Sequence, residues 1–373
     1  MKMIKLRTII MLLSAVGIIC GRCEGWGGWC YYLVIGGASA GTPSKNVWEY
    51  EINSSPYPPV LVGSINLHYC SIRAVAIDAD YGIYCGGSDG YVYKLFPNGG
   101  HLDTTWGDSG ECYTWDDETG VYSISVDANK RCYVGVDSSV IAPCCPEGAG
   151  VVRIEPNGVL YNQWYCRGGM GYCSAFTSSS EMVVGGGGFT CASFDDCSGD
   201  RLSKISKTSM VEDDCSSQYS ATCYWSTNPL SGMLKYVRAI AIDENGKIYC
   251  GGNRDDVNDI SVWRYTSGGT YDNWSRDTGD TVYGMCYDPD MGLCVVGRRN
   301  NNTSVWVYNG GSTYTADTGD DTRCVTTDGT YWYVGGDRSS NYSVWKFNST
   351  LSSKTNLIDT GNDVYAISWF SWY

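Results

Sequence analysis

Three short strand patterns, each recurring seven times, and two chain ends that each carry only part of a repeat predict an all-β chain. The predicted architecture is a seven-bladed β-propeller closed by N-terminal strands plus the C-terminal strand. The clearest copy is VRAIAIDENGKIYCGGNRDDVNDISVWRY (237–265), which reads as three strands separated by Asp/Asn/Gly breaks. Its first strand returns as IRAVAID (72–78), VYSISVD (121–127), GYCSAFT (171–177), VYGMCYD (282–288), TRCVTTD (322–328) and VYAISWF (364–370). The second returns as YYLVIGG (31–37), GIYCGG (82–87), RCYVGV (131–136), EMVVGGG (181–187), GLCVVG (292–297) and YWYVGG (331–336). The third returns as NVWEYEI (46–52), GYVYKLF (90–96), GVVRIEP (150–156), DRLSKIS (200–206), SVWVY (304–308) and YSVWKF (342–347).

The chain begins on a second-type strand and ends on a first-type strand, so neither end completes a blade alone. If VYAISWF becomes the inner strand of the blade begun by residues 31–66, seven complete blades result and the ring has no open edge. No amphipathic run of helical period exceeds two turns after residue 25. Short first-to-second connections (DADY, DANK, DENG, DPDM, Asp328-Gly329) are turn chemistry. Second-to-third and blade-to-blade connections are longer and emerge together on one face. That face, with Cys144, Phe189, Phe194, Trp115, Trp225 and the Asp255/Asp256 loop, is the expected working face.

The formal net charge is −14, and −17 once Lys2, Lys5 and Arg7 leave with residues 1–21. So acidic a surface argues against nucleic acid or anionic membrane as a partner. MKMIKLR followed by the uncharged run TIIMLLSAVGIIC is too short to span a bilayer and fits a secretory signal over residues 1–21, with one propeller over 22–373. A secreted, extracellular-surface location follows. Nineteen cysteines without paired C-x-x-C motifs suit disulfides in such a compartment. Cys191 with Cys197, Cys215 with Cys223, and Cys286 with Cys294 are the pairs local spacing suggests. Sequons at Asn53, Asn273, Asn301, Asn302, Asn341 and Asn348 make glycans a further expectation.

KLFPNGGHLDTTWGDSG (94–110) resembles the repeats of secreted, cell-surface bacterial-type propellers whose outer strand reads L-x-x-x-G-x-L-D-T-x-F/W-G. AIDENGKIYCGG is similar to surface propellers with D-x-x-G-x-x-Y-V-x-G inner hairpins. The resemblance implies fold and a cell-surface setting, and brings no catalytic residues.

GGSDG (86–90) matches a nucleophile-elbow pattern, but Ser88 lies between two strands, which makes it a turn. GDSG (107–110) is followed by Glu111, and the two histidines, His68 and His101, stand in no triad context. Asp255, Asp256 and Asp259 in one loop are the calcium candidate; no other cofactor is expected. Vicinal Cys144-Cys145 is the one echo of quinoprotein dehydrogenases. Aligning the blades gives one further constellation. Arg73, Tyr122, Tyr172, Arg238, Tyr283, Arg323 and Tyr365 occupy the same position of the inner strand, and only Arg or Tyr appears there. Packing of Arg on Tyr is one reading, and a ring binding an anionic or sugar ligand, with Trp115 and Trp225 beside it, is the other.

The function expected on these grounds is a non-catalytic extracellular structural or binding propeller that self-assembles into a surface polymer or filament. The alternatives are a lectin-like carbohydrate-binding module and a quinone-cofactor oxidoreductase. A homo-oligomer and a glycan or surface partner are the expected contacts.

Overall fold

A computed structural model describes residues 30–38, 45–52, 58–68, 70–97, 100–114, 120–136, 150–166, 169–188, 202–207, 223–227, 236–254 and 259–372. Its strands form seven four-stranded antiparallel sheets, the blades of a propeller. Blade 1 runs, from the inside out, Val364–Trp372, Cys30–Gly37, Val47–Glu51 and Val60–Ile65. The tail therefore closes the ring on the head as expected, with Ile367 opposite Ile35 and Trp369 opposite Leu33. The inner strands of blades 2 to 7 are Ile72–Ile77, Val121–Val126, Gly169–Phe176, Val237–Ile242, Val282–Asp288 and Thr322–Thr327. Each lies against the inner strand of the next blade, and that of blade 1 lies against that of blade 2, so the cycle is complete. Among the described residues no helix is long and apolar enough to cross a membrane, and the apolar N-terminal run lies outside them.

The core lies between blades. The second strand presents the sequence apolar–Gly–Gly because the next blade leaves no room for more. A Cβ on Gly86 would sit 2.3 Å from Val121 Cγ1, and one on Gly335 would sit 2.5 Å from Val364 Cγ1. In blade 6 the bulk is exchanged: Val296 takes the glycine's place and its cross-strand partner on the inner strand is Gly284. The first-to-second turns are closed by one repeated device. Asp78 Oδ1 accepts the backbone N–H groups of Asp80 and Gly82 (both 2.8 Å), and Asp243, Asp288 and Asp328 do the same in their blades. DADYG and DPDMG are therefore hairpin turns.

The L-D-T-T-W segment is not an outer strand. Asp103 N donates to Lys94 O and Asp103 Oδ1 accepts from Thr105, which folds the segment into the third-to-fourth connection. The outer strand of blade 2 is Glu111–Tyr113. Folding back drives Trp106 into the seam between blades 2 and 3, edge-on to Tyr84 at 5.7 Å.

The disulfide between Cys286 and Cys294 is not present. The two are direct cross-strand partners, yet both are free thiols set in the apolar layer between blades 6 and 7 with Trp332 and Val334. Nine cysteines with described side chains are unbridged, because they serve as small apolar residues. Cys173 and Cys324 fill the inner-strand slot held elsewhere by Ala74, Ser123, Ala239 and Ala366. Cys85 and Cys250 fill the second-strand slot of Ile35, Val134 and Val334. Burial pushes the Cys286 thiol up to about 12, so it stays protonated. Cys144, Cys145, Cys191, Cys197 and Cys215 lie outside the described residues, and Cys223 is described only as the start of a strand.

Candidate functional site

Six of the seven inner strands open the same way, and a skipped residue recurs in all seven. The first residue is buried against the preceding blade, as Ile72, Val121, Val237, Val282, Thr322 and Val364 are. The third residue resumes pairing with the second strand. The residue between them is skipped by the ladder: a β-bulge falls at Arg73, Tyr122, Tyr172, Arg238, Tyr283, Arg323 and Tyr365 in turn. A bulge adds an unpaired residue and re-aims its side chain. Seven bulges at one level convert the Arg/Tyr positions of the aligned repeats into a ring at one end of the central channel.

The ring residues touch in sequence from Arg73 to Tyr365. Arg73 Cζ lies 5.1 Å from the Tyr122 ring centroid, and Tyr122 meets Tyr172 edge-on at 5.0 Å. Arg238 lies over Tyr172 (5.2 Å) and Tyr283 (5.9 Å), and Arg323 over Tyr283 (5.3 Å) and Tyr365 (5.4 Å). Burial, then Asp363, push the Tyr365 phenol up, while Arg323 and Arg73 pull it down. Burial opposes the charge of Arg323, but hydrogen bonds from its Nε and Nη2 to Asp337 outweigh this and raise its pKa. All seven ring residues named from the sequence are thus brought together, and the contacts among them are those of the packing reading, Arg on Tyr.

The other sequence candidates are not part of this ring. Trp225 lies on the outer strand Cys223–Thr227, opposite Lys204, three strands away from the channel. Trp115, Asp255 and Asp256 lie outside the described residues. Asp259 is held by Arg254 Nη2 at 3.0 Å. Among the described residues no three His, Cys, Asp or Glu side chains converge as metal ligands.

Around the ring, the second-to-third and blade-to-blade loops of blades 5 to 7 are locked by a clamp that the sequence reading missed. Arg254 makes two parallel hydrogen bonds to Asp277 (2.9 and 3.0 Å), Arg299 to Asp317 (both 2.8 Å) and Arg338 to Asp359 (both 2.7 Å). A hydroxyl pair backs each: Ser261–Thr278, Ser304–Thr318 and Ser343–Thr360. The signal was available as the recurring DTGDT (277–281), DTGDD (317–321) and DTGND (359–363). Hydrogen bonds from these arginines, against the opposing effect of burial, hold the three carboxyls below their ordinary value. A depressed carboxyl contributes stability above the unfolded-state pKa near ~3.9 and loses it as pH falls through the lower folded value. Thermal unfolding is expected to shift down below about pH 4. Replacing all three aspartates by Asn should flatten that acid limb, by no more than about 1 kcal/mol per partly exposed pair. Unfolding temperatures measured across an acid pH series check this.

A second feature also escaped the sequence reading. His68, on the connection between blades 1 and 2, lies with Nε2 3.1 Å from Glu111 Oε1 and Nδ1 3.9 Å from Asp89 Oδ2. Tyr93 donates its hydroxyl to Asp89, and Tyr91 and Tyr93 meet the imidazole edge-on. Burial, opposed by His68 and reinforced by Asp89 and Asp108, raises the Glu111 pKa.

No family model and no curated protein sequence matches this chain. Solved structures do. A Pseudomonas aeruginosa periplasmic gluconolactonase shares 13% identity at a TM-score of 0.63, over 91% of this chain and 99% of its own. A Bacteroides uniformis protein provisionally named 6-phosphogluconolactonase shares 14% identity at 0.63, over 91% and 99%. A chain of a nidogen/laminin complex shares 13% identity at 0.50, over 91% and 98%. The fold they share is the propeller. Two of these neighbours carry enzyme names, which contradicts the expectation of a non-catalytic structural or binding module. That expectation rested on the scarcity of histidine and the lack of a credible nucleophile or metal cluster in the sequence. A lactone is an activated ester, so donors poised for the carbonyl oxygen can serve without a histidine-based triad.

Proposed function

We propose that this chain is a lactone hydrolase whose substrate, a sugar lactone, enters the channel mouth at the Arg/Tyr ring. The observation that carries the reading is the ring itself: seven bulges set guanidinium and phenol groups around one end of the channel, in a fold shared with proteins named gluconolactonases. Hydrolysis adds water across the acyl–oxygen bond. The ring donors stabilise the oxyanion that forms on the carbonyl as water adds, and the ring oxygen leaves with a proton from water. Braced loops in blades 5 to 7 keep the donors fixed, which is what electrostatic stabilisation of a transition state requires.

The test is proton release from glucono-δ-lactone and from its 6-phosphate, measured against spontaneous hydrolysis at mildly acidic pH. The expected result is turnover of at least one. Loss on replacing an oxyanion donor such as Tyr283→Phe should be about 10²-fold or more. No rate above the uncatalysed reaction with either lactone would end the reading.

A further inference from the structure

Two arginines of the ring stand in equivalent places and are treated differently. The residue directly after the second-strand Gly-Gly is Asp337 in blade 7 and Asn253 in blade 5. Asp337 takes both Nε (2.5 Å) and Nη2 (2.9 Å) of Arg323 and neutralises it. Asn253 accepts only Nε of Arg238, at 3.1 Å, and carries no charge. Among the described residues Nη1 and Nη2 of Arg238 have no acceptor, and no carboxylate pairs with it. Three rings, Tyr172, Tyr236 and Tyr283, surround the guanidinium at 5.2, 5.3 and 5.9 Å. They cover it without satisfying its in-plane donors, and a guanidinium so placed presents a fork suited to two oxygens of one anion.

We infer that Arg238 is the recognition site for an oxyanion, the carboxylate or phosphate of a small organic acid, and that Asn253 keeps the site open by withholding the carboxylate that blade 7 supplies. In a chain of net charge −14, an arginine that no described carboxylate pairs with, set among Tyr172, Tyr236 and Tyr283, is a local reversal of sign, which an anion from solution can meet. The inference rests on the proposed reaction only in naming the 6-phosphate of a lactone, or the carboxylate its hydrolysis releases, as the group bound; it stands on the geometry of blades 5 and 7 and is read by binding alone.

The experiment is calorimetric titration of the full chain with sodium gluconate and, separately, with inorganic phosphate at constant ionic strength; the two arms distinguish carboxylate from phosphate. At least one is expected to bind saturably to the wild type. Arg238→Met should weaken that binding about tenfold or more, the loss of a charged bidentate contact. Asn253→Asp should weaken it as much while leaving Arg238 in place, since it recreates the neutralised pair of blade 7. Absence of binding by both anions to the wild type, or wild-type affinity in either folded variant, overturns the inference. Gluconate or phosphate binding without lactone turnover overturns only the proposed reaction.

Discussion

A chain ending at Asp363 is expected to lose its cooperative unfolding transition and to associate. Removing Val364–Trp372 takes the inner strand out of blade 1 and opens the sheet edge that Leu33 and Ile35 pair with. It deletes the buried side chains of Val364, Ile367 and Phe370, which contact both the blade 7 and blade 2 seams. At about 1.5–3 kcal/mol for each large apolar side chain, these alone represent roughly 5–9 kcal/mol. Whole domains have only about 5–15 kcal/mol of net stability. The exposed edge then offers unpaired backbone groups to a second molecule. Urea unfolding with size-exclusion chromatography reads both effects, and a monomer that still unfolds cooperatively would show that six blades and an incomplete seventh suffice.

The second large effect is expected at Trp106→Ala. Trp106 is 2% exposed and lies in the layer between blades 2 and 3 with Tyr84, Val134 and Ile154. The surrounding backbone is built to its shape. A Cβ on Gly158 would come within 2.9 Å of the indole, and Gly107 N, next in the chain, donates to Asn157 O at 2.9 Å across the same seam. Truncation leaves a cavity that this backbone cannot collapse into, at a cost of about 3–5 kcal/mol. The denaturation midpoint measures it, and Trp106→Phe, which keeps a ring against Tyr84, should recover a good part of the loss.

The inner three strands of each blade were legible in the sequence because the second and third are buried along most of their length and the first keeps an apolar, β-branched pattern. The fourth strands were not. Ser312–Ala316 and Lys354–Ile358 are mostly exposed and polar, and the outer strand Cys223–Thr227 was read as part of a long connection. The ring positions were legible from register alone, since aligned repeats must superpose. The bulge that gives them their direction was not, because skipping one residue leaves the alternation on either side unchanged. The cysteines misled for a physical reason. A slot that needs a small apolar side chain accepts Ala or Cys alike, so their number reported interior packing at the described positions. His68 could not be paired with Glu111 from sequence, because a turn residue at φ 41° brings it to a strand 43 positions away.

The odd number of blades has a consequence for whatever approaches the channel. Around seven places, cations and phenols cannot strictly alternate, so at least one pair of like groups must adjoin. Here Tyr122 and Tyr172 do so, crossed at 80°. The mouth therefore has a greasy arc on one flank and arginine-bearing arcs on the other, and no rotation about the axis maps it onto itself. A small molecule carrying one polar and one apolar side meets a single favourable heading, so parity gives this otherwise repetitive wheel a sense of direction.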